Sequence, residues 1–225
     1  MATSVVTDPG SQQESISLAV APSPILSRLR LETRGEHDAV ERVLDLLGVS
    51  LTTEHYRQRL EQFYGFYAPM EKALQLRELT LPPATRVALA GRLNKTALLR
   101  QDLQNLGART EALPLCRNLP PLGTQAEVLG CVYVMEGATL GGRIITQHIR
   151  AALGITAITG GSFFEGYGDD TGMMWQGMRQ LLVNGAPDTE TENTIVTNAV
   201  TTFARLRGWC ESLQKQTENG TTLHA

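Results

Sequence analysis

His37 is the residue of this chain best placed to do chemistry. Thr33 stands four residues before it, Glu41 four after, Arg34 three before and Arg30 seven before. On a helix all of these share a side with the imidazole. A carboxylate at i+4 can accept a hydrogen bond from Nδ1–H, which fixes the tautomer and leaves Nε2 free to bind a metal. The two arginines put cations near the same side, where the carboxylates of a ligand could pair with them. The plainer alternatives are a satisfied core histidine and a solvated basic face, since most such residues are one or the other.

The second chemically unusual stretch is Glu127–Arg150, EVLGCVYVMEGATLGGRIITQHIR. It is apolar along much of its length yet carries Gly130, Gly137, Gly141 and Gly142. At 100° per residue Gly130, Gly137 and Gly141 form one stripe of a helix, which His148 continues. Each interior glycine costs a helix about 1 kcal/mol against alanine. A helix bearing four needs a bare backbone on one side, for a close helix crossing or for a flat, rigid ligand against it. His148 is a second candidate ligand on that stripe, or a residue at the solvent end of a cleft, and the latter is expected. His55 follows Glu54 in a first helical turn and is expected to be exposed; His224 lies near the C-terminus.

Other chemistries lack their residues. No histidine has Glu three positions before it, which excludes a dinuclear carboxylate site built on Glu-x-x-His. No G-x-S-x-G elbow, P-loop or GxGxxG is present. Cys116, Cys131 and Cys210 are odd in number and lack CxxC spacing, which fits reduced thiols in a cytoplasmic protein and no zinc site. The formal charge of −3 gives no basic excess for nucleic acid. No continuous apolar run approaches the roughly 18 residues of a membrane span, and no secretory signal is visible. With 42% hydrophobic and 19% charged residues in 225, the chain has the composition of one globular domain.

The elements that must position these residues read as helices. Residues 1–24 are rich in Ser, Thr, Gln and Pro and are expected to be a flexible tail. One helix is expected from Pro24 to Gly48, and a second from Thr52 or Thr53 towards Glu78, kinked or split by Pro69. Pro82 and Pro83 open a third that ends near Gly107. A proline-rich loop leads to the glycine-bearing helix, although Val128, Val132 and Val134 favour strand there. A loop over residues 154–172 precedes a helix from about Thr171 to Asn184. Thr189 and Glu192 form a capping-box pattern for a last helix to about Gln216. The expectation is a single all-α domain over residues 25–216, of six to eight helices, with a tail at 217–225.

Two segments carry a resemblance. LRLETRGEHDAVE resembles the proximal helix of heme oxygenases, whose iron-binding histidine lies in a T-x-x-x-H-x-x-x-E context. YVMEGATLGGRII is similar to the distal helix of the bacterial members, above all those that accompany bacteriophytochromes, and FFEGYGDDTGMMW and AVTTFARLRGW look like their later segments. The similarity runs from about Leu26 to Leu213. It implies an all-α fold that holds heme between a proximal and a kinked distal helix. It implies His37 as the iron ligand and Glu41 as its hydrogen-bonding partner. Gly137 and Gly141 match the glycines that contact heme, with Gly142 beside them, and Arg30 and Arg34 match basic positions near the propionates. Ala138 stands where eukaryotic members carry a distal aspartate, a departure shared with bacterial relatives. The implied activity is cleavage of heme to biliverdin with release of iron and carbon monoxide. Heme is then both substrate and cofactor, with molecular oxygen and electrons from an external donor such as a ferredoxin or reductase, and a phytochrome is a possible bilin acceptor. A non-catalytic heme carrier or sensor on the same fold, and a heme-free helical interaction module, are the alternatives.

Overall fold

Apolar residues at three- and four-residue spacing fold the chain into α-helices, and no strand occurs among the described residues, 24–222, whose side chains are described to Gln216. In this computed structural model the helices are α1 (Pro24–Glu32), α2 (Arg34–Leu44), α3 (Thr53–Glu78), α4 (Pro83–Leu89), α5 (Lys95–Asn105), α6 (Gln125–Leu153), α7 (Ser162–Glu165), α8 (Thr171–Asn184) and α9 (Thr189–Thr222). The tails expected at 1–24 and 217–225 lie almost wholly outside the described side chains; Pro24 already opens α1, and the backbone of α9 continues past Gln216 to Thr222.

The helix expected over Pro24–Gly48 is two segments. Thr33 Oγ1 donates to the Leu29 carbonyl at 2.7 Å, a side-chain bond of the kind that bends helices. The backbone still bonds across the bend, Thr33 N to Leu29 O at 3.1 Å and His37 N to Thr33 O at 3.0 Å. α2 ends before Gly48, because Asp45 takes the left-handed conformation at φ 44° and closes the last turn onto Glu41 O. Aspartate enters that region more easily than most residues.

α3 runs unbroken through Pro69. Proline leaves the carbonyl four residues earlier without its donor. That carbonyl is Gly65 O, and the Cys116 N–H takes it at 2.8 Å. The proline-rich connection before α6 thus replaces the missing helix bond. The helix expected over Pro83–Gly107 divides into α4 and α5 at Gly91, whose φ of +78° no helix accommodates. The stretch 154–170, expected as loop, holds a π-helical turn at 157–161, α7 and a 3-10 turn at 168–170. The side-chain cap of α9 is Asp188, which accepts from the Thr191 N–H at 2.8 Å, in place of Thr189.

α6 is the central helix, opened by a reciprocal box: Thr124 Oγ1 accepts from the Glu127 N–H and the Glu127 carboxylate accepts from the Thr124 N–H. It is the one described helix long and apolar enough to cross a membrane, with a mean hydropathy of 1.3 over its best window, 56% of which is buried in the molecule. Its apolar character is spread among alanines and glycines, so no continuous run announces it. The packing makes it a core helix, lying against α7, α8 and, most extensively, α9. α9 also carries α1, α2 and α3. Arg207 binds Glu36 at 2.9 Å, the Gln214 amide donates to Val43 O at 2.9 Å, and Arg28 reaches Glu192 at 3.3 Å. α2 and α6 therefore share one floor without being closely packed on each other.

Candidate functional site

The four glycines of α6 divide by what surrounds them. A Cβ on Gly130 would lie 2.3 Å from Ile195 O and 3.0 Å from Ala199 N, so here α9 crosses on bare backbone. A Cβ on Gly142 would lie 2.1 Å from Phe164 O. At Gly137 and Gly141 nothing lies within 4 Å. The two readings of the stripe are thus both present, at different glycines. Gly142, expected to face a cofactor, is buried beneath the Phe164 carbonyl because its direction on the helix points at α7; that expectation is corrected.

The geometry of the opening follows. Gly130 and Gly137 share a face and are separated by about 10 Å along the axis, at 1.5 Å per residue. α9 touches α6 at the first and has left it by the second. Leu140 and Ile144, which flank Gly141 on the same face, are 44% and 61% exposed, an uncovered apolar strip in the middle of the core helix. None of the four glycines has a positive φ, and α6 continues through them as one helix.

The opposite wall is α1–α2. Tyr133, one turn before Gly137, is approached by the Thr33 hydroxyl and the Arg30 charge; burial pushes its phenol up and both neighbours pull it down. It also stacks on Trp175 at 5.8 Å. His37 lies one turn beyond Thr33 and packs edge-on against Phe203 of α9, with centroids 5.6 Å apart. Phe203 is in turn one helical turn past Ala199, where α9 leaves Gly130. His37 is thus joined to α9 through Phe203, Tyr133 of α6 to α1 through Thr33 and Arg30, and Gly137 and Gly141 lie bare further along α6.

His37 is half exposed, not enclosed on an apolar face. Its Nδ1 stands 3.6 Å from Glu41 Oε2 and also 3.6 Å from Asp38 Oδ1. These are ion-pair distances, slightly too long for hydrogen bonds. One ligand atom from each of the three residues falls within a 4.8 Å group. Arg34 is 78% exposed and 3.8 Å from Asp38, and Arg30 is also exposed. Asp38, Tyr133 and Phe203 were not singled out from the sequence. For Asp38 the signal was there, as a second carboxylate beside the histidine. His148 is only partly exposed and its Nε2 is shut off from solvent without a partner, so it does not stand at a solvent end. His55 is exposed, as expected.

Behind the glycines the packing is dense and polar. Phe63, Tyr67, Phe163 and Phe164 form an aromatic cluster with centroids 4.9–5.9 Å apart. Asp102 caps α7, accepting from Ser162 N at 2.9 Å, Phe163 N at 2.7 Å and Ser162 Oγ at 2.7 Å. This sets the Phe164 carbonyl over Gly142. Burial raises the Asp102 carboxyl, and these hydrogen bonds oppose it.

The comparisons agree with this architecture. The sequence pattern of the heme oxygenase family matches residues 23–212. No curated protein matches the chain by sequence. Among solved structures, the NO- and CO-bound heme oxygenase from Neisseria meningitidis superposes with a TM-score of 0.67 at 19% identity, covering 84% of this chain and 90% of that one. Heme oxygenase from Leptospira interrogans gives 0.66 at 21%, covering 84% and 98%. Heme oxygenase-1 from Synechocystis sp. PCC6803, in complex with heme, gives 0.63 at 20%, covering 88% and 96%. With the family pattern matched over nearly all of its described length, this helical chain belongs to the heme oxygenase family. Heme degradation is the activity that this family and fold support.

The residues on these faces have the chemistry that heme takes. Heme is a flat apolar plate with two anionic edges. Uncovered Leu140 and Ile144 and bare backbone at Gly137 and Gly141 suit its face, the His37 imidazole suits its iron, and exposed arginines suit its carboxylates.

Proposed function

We propose that this chain cleaves heme to biliverdin, releasing iron and carbon monoxide, with heme lying between α2 and α6. The observation that carries the reading is the open space at Gly137 and Gly141 on a helix whose other two glycines are covered. Bound heme supplies the iron chemistry that activates oxygen. The chain's own residues hold and shape. His37 offers Nε2 to the iron, while Glu41 and Asp38 stand near Nδ1 and orient the ring. A neutral imidazole ligand lacks the electron push by which a thiolate ligand favours O–O cleavage. The glycine backbone of α6 forms a low ceiling that limits where oxygen can lie, and Arg30 and Arg34 pair with the propionates. Electrons come from an external donor, a ferredoxin or reductase, since the chain has no flavin or nicotinamide fingerprint. A phytochrome that accepts the bilin is the further partner we propose, in the cytoplasm.

Heme titration and a single-turnover spectrum test this. With reductant and oxygen the wild type should lose its Soret band and gain bilin absorption; persistence of intact heme would make the chain a carrier. His37→Ala should lose the imidazole-ligated spectrum, with partial recovery on added imidazole. His148→Ala should keep it. The reverse pattern would move the ligand to α6.

A further inference from the structure

One residue before Gly137, Glu136 is 2% exposed and turned away from the opening. Its carboxylate takes the Arg92 Nη1 donor at 2.6 Å and the Tyr167 hydroxyl at 2.8 and 3.0 Å, with Lys95 Nζ 3.7 Å away. Each partner is itself tied down. Arg92 donates to Ala88 O at 2.8 Å and to Met174 O at 2.9 Å, so it joins α4 and α8 to this point. Lys95 Nζ sits 3.8 Å from the centre of the Tyr167 ring, and the Lys95 and Thr96 N–H groups bond Glu71 of α3 at 2.6 and 3.1 Å. The α6 backbone is gripped here as well: Tyr67 Oη donates to Met135 O at 3.2 Å, and Thr139 Oγ1 to Glu136 O at 2.7 Å.

Two cations, Arg92 and Lys95, and two carboxylates, Glu71 and Glu136, are thus buried together, and the network holds α3, α4, α5, α8 and Tyr167 on Met135 and Glu136 of α6. A buried ion pair adds little net stability against an apolar replacement, but it specifies register in some systems. Residues 137–142 contain three glycines, the weakest helix formers after proline, and two of these lie bare. A helix segment with one face unsupported keeps a fixed height only if its other face is held.

We propose that Glu136 is a positioning residue for heme cleavage: through Arg92 and Tyr167 it fixes the height of the Gly137–Gly141 backbone over the heme face. This rests on the heme-cleaving reading for its kinetic consequence alone. Loosening the network should raise the mobility of the ceiling, impairing the oxygen step while heme still binds through His37.

Tyr167→Phe and Glu136→Gln test it, beside Trp209→Phe, which removes a partly buried bond to Gln62 O at the α3–α9 contact. In the apoprotein, amide hydrogen exchange over residues 137–142 should accelerate about tenfold in Tyr167→Phe, the change in opening equilibrium for one hydrogen bond to a charged group. Trp209→Phe should leave those amides unchanged. In the heme-loaded protein kcat should fall severalfold in Tyr167→Phe while the heme Kd stays near wild type. Unchanged exchange at 137–142, equal acceleration in Trp209→Phe, or kcat and heme affinity falling together would each overturn the proposal. Should Glu136→Gln fail to fold, Tyr167→Phe decides alone. A wild type that leaves heme intact would defeat the functional reading, and the apoprotein exchange would still decide the positioning.

Discussion

The His37 imidazole has two carboxylates at the same distance from Nδ1, and each comes with its own surroundings. Asp38 is shared with Arg34 at 3.8 Å, whereas Glu41 stands 67% exposed beside His37. Half-exposed pairs of this kind contribute little to stability. Their value lies in orienting a ligand ring, where loss of the partner typically lowers metal affinity or activity about 10- to 100-fold. Two acceptors in contact with one donor should substitute for one another, so single and double replacements should not add. Glu41→Gln and Asp38→Asn alone should each change heme affinity by no more than about threefold, and the pair together by about tenfold or more. Absorbance titration of the three variants reads this directly; a full loss in Glu41→Gln alone would leave Asp38 without a share.

At the scale of one helix, α6 serves two neighbours and an opening with the same residue type. Alanine at Gly137 or Gly141 meets empty space and improves helix propensity by about 1 kcal/mol, worth roughly 2–4 °C in a domain of this size. Alanine at Gly130 or Gly142 collides with a carbonyl at 2.3 or 2.1 Å. Calorimetry of the apoproteins should therefore show Gly141→Ala melting slightly above wild type and Gly130→Ala and Gly142→Ala several degrees below. Gly141→Leu should fold and yet turn over heme poorly, since its side chain occupies the ceiling; normal turnover would place heme elsewhere. Periodicity in the sequence was enough to draw the stripe and to expect a helix. It gave the direction of Gly130 and Gly137 as the same, and could not say that α9 meets one and misses the other, because that depends on a crossing between residues about 65 positions apart. The Thr124–Glu127 box was legible at three-residue spacing and was overlooked. Arg92, Glu136 and Tyr167 were not legible at all: their separations are 44 and 31 residues, and each alone reads as an ordinary polar side chain. Pro69 misled because the donor that repairs its gap, Cys116 N, lies 47 residues on.

Across the whole molecule, buried acids of high ordinary pKa set the alkaline limit. Burial pushes the Cys210 thiol up to about 12 and also raises Cys131, Tyr56, Tyr67 and Tyr167 above their ordinary values. Folded chains keep these protons where unfolded chains have lost them, so the unfolded state binds fewer protons and stability falls as pH rises. Each such group contributes about 1.4 kcal/mol per pH unit once pH exceeds its unfolded value. Lys95, lowered chiefly by burial, works in the opposite direction, one group against these five and against Cys116 and Tyr133, which burial also raises. The melting temperature should hold near neutrality and decline between about pH 9 and 12, which a calorimetric pH series checks. The burial of the three cysteine sulfurs has a second consequence. Cys116, on the strap that repairs α3, Cys131, in the middle of α6, and Cys210, near the far end of α9, are 5%, 0% and 0% exposed. A maleimide in solution meets none of them until the surrounding piece of the protein opens. The chain thus comes with three built-in clocks, each timing how often a different part of the molecule comes apart, and heme bound between α2 and α6, as proposed, should slow the Cys131 clock most.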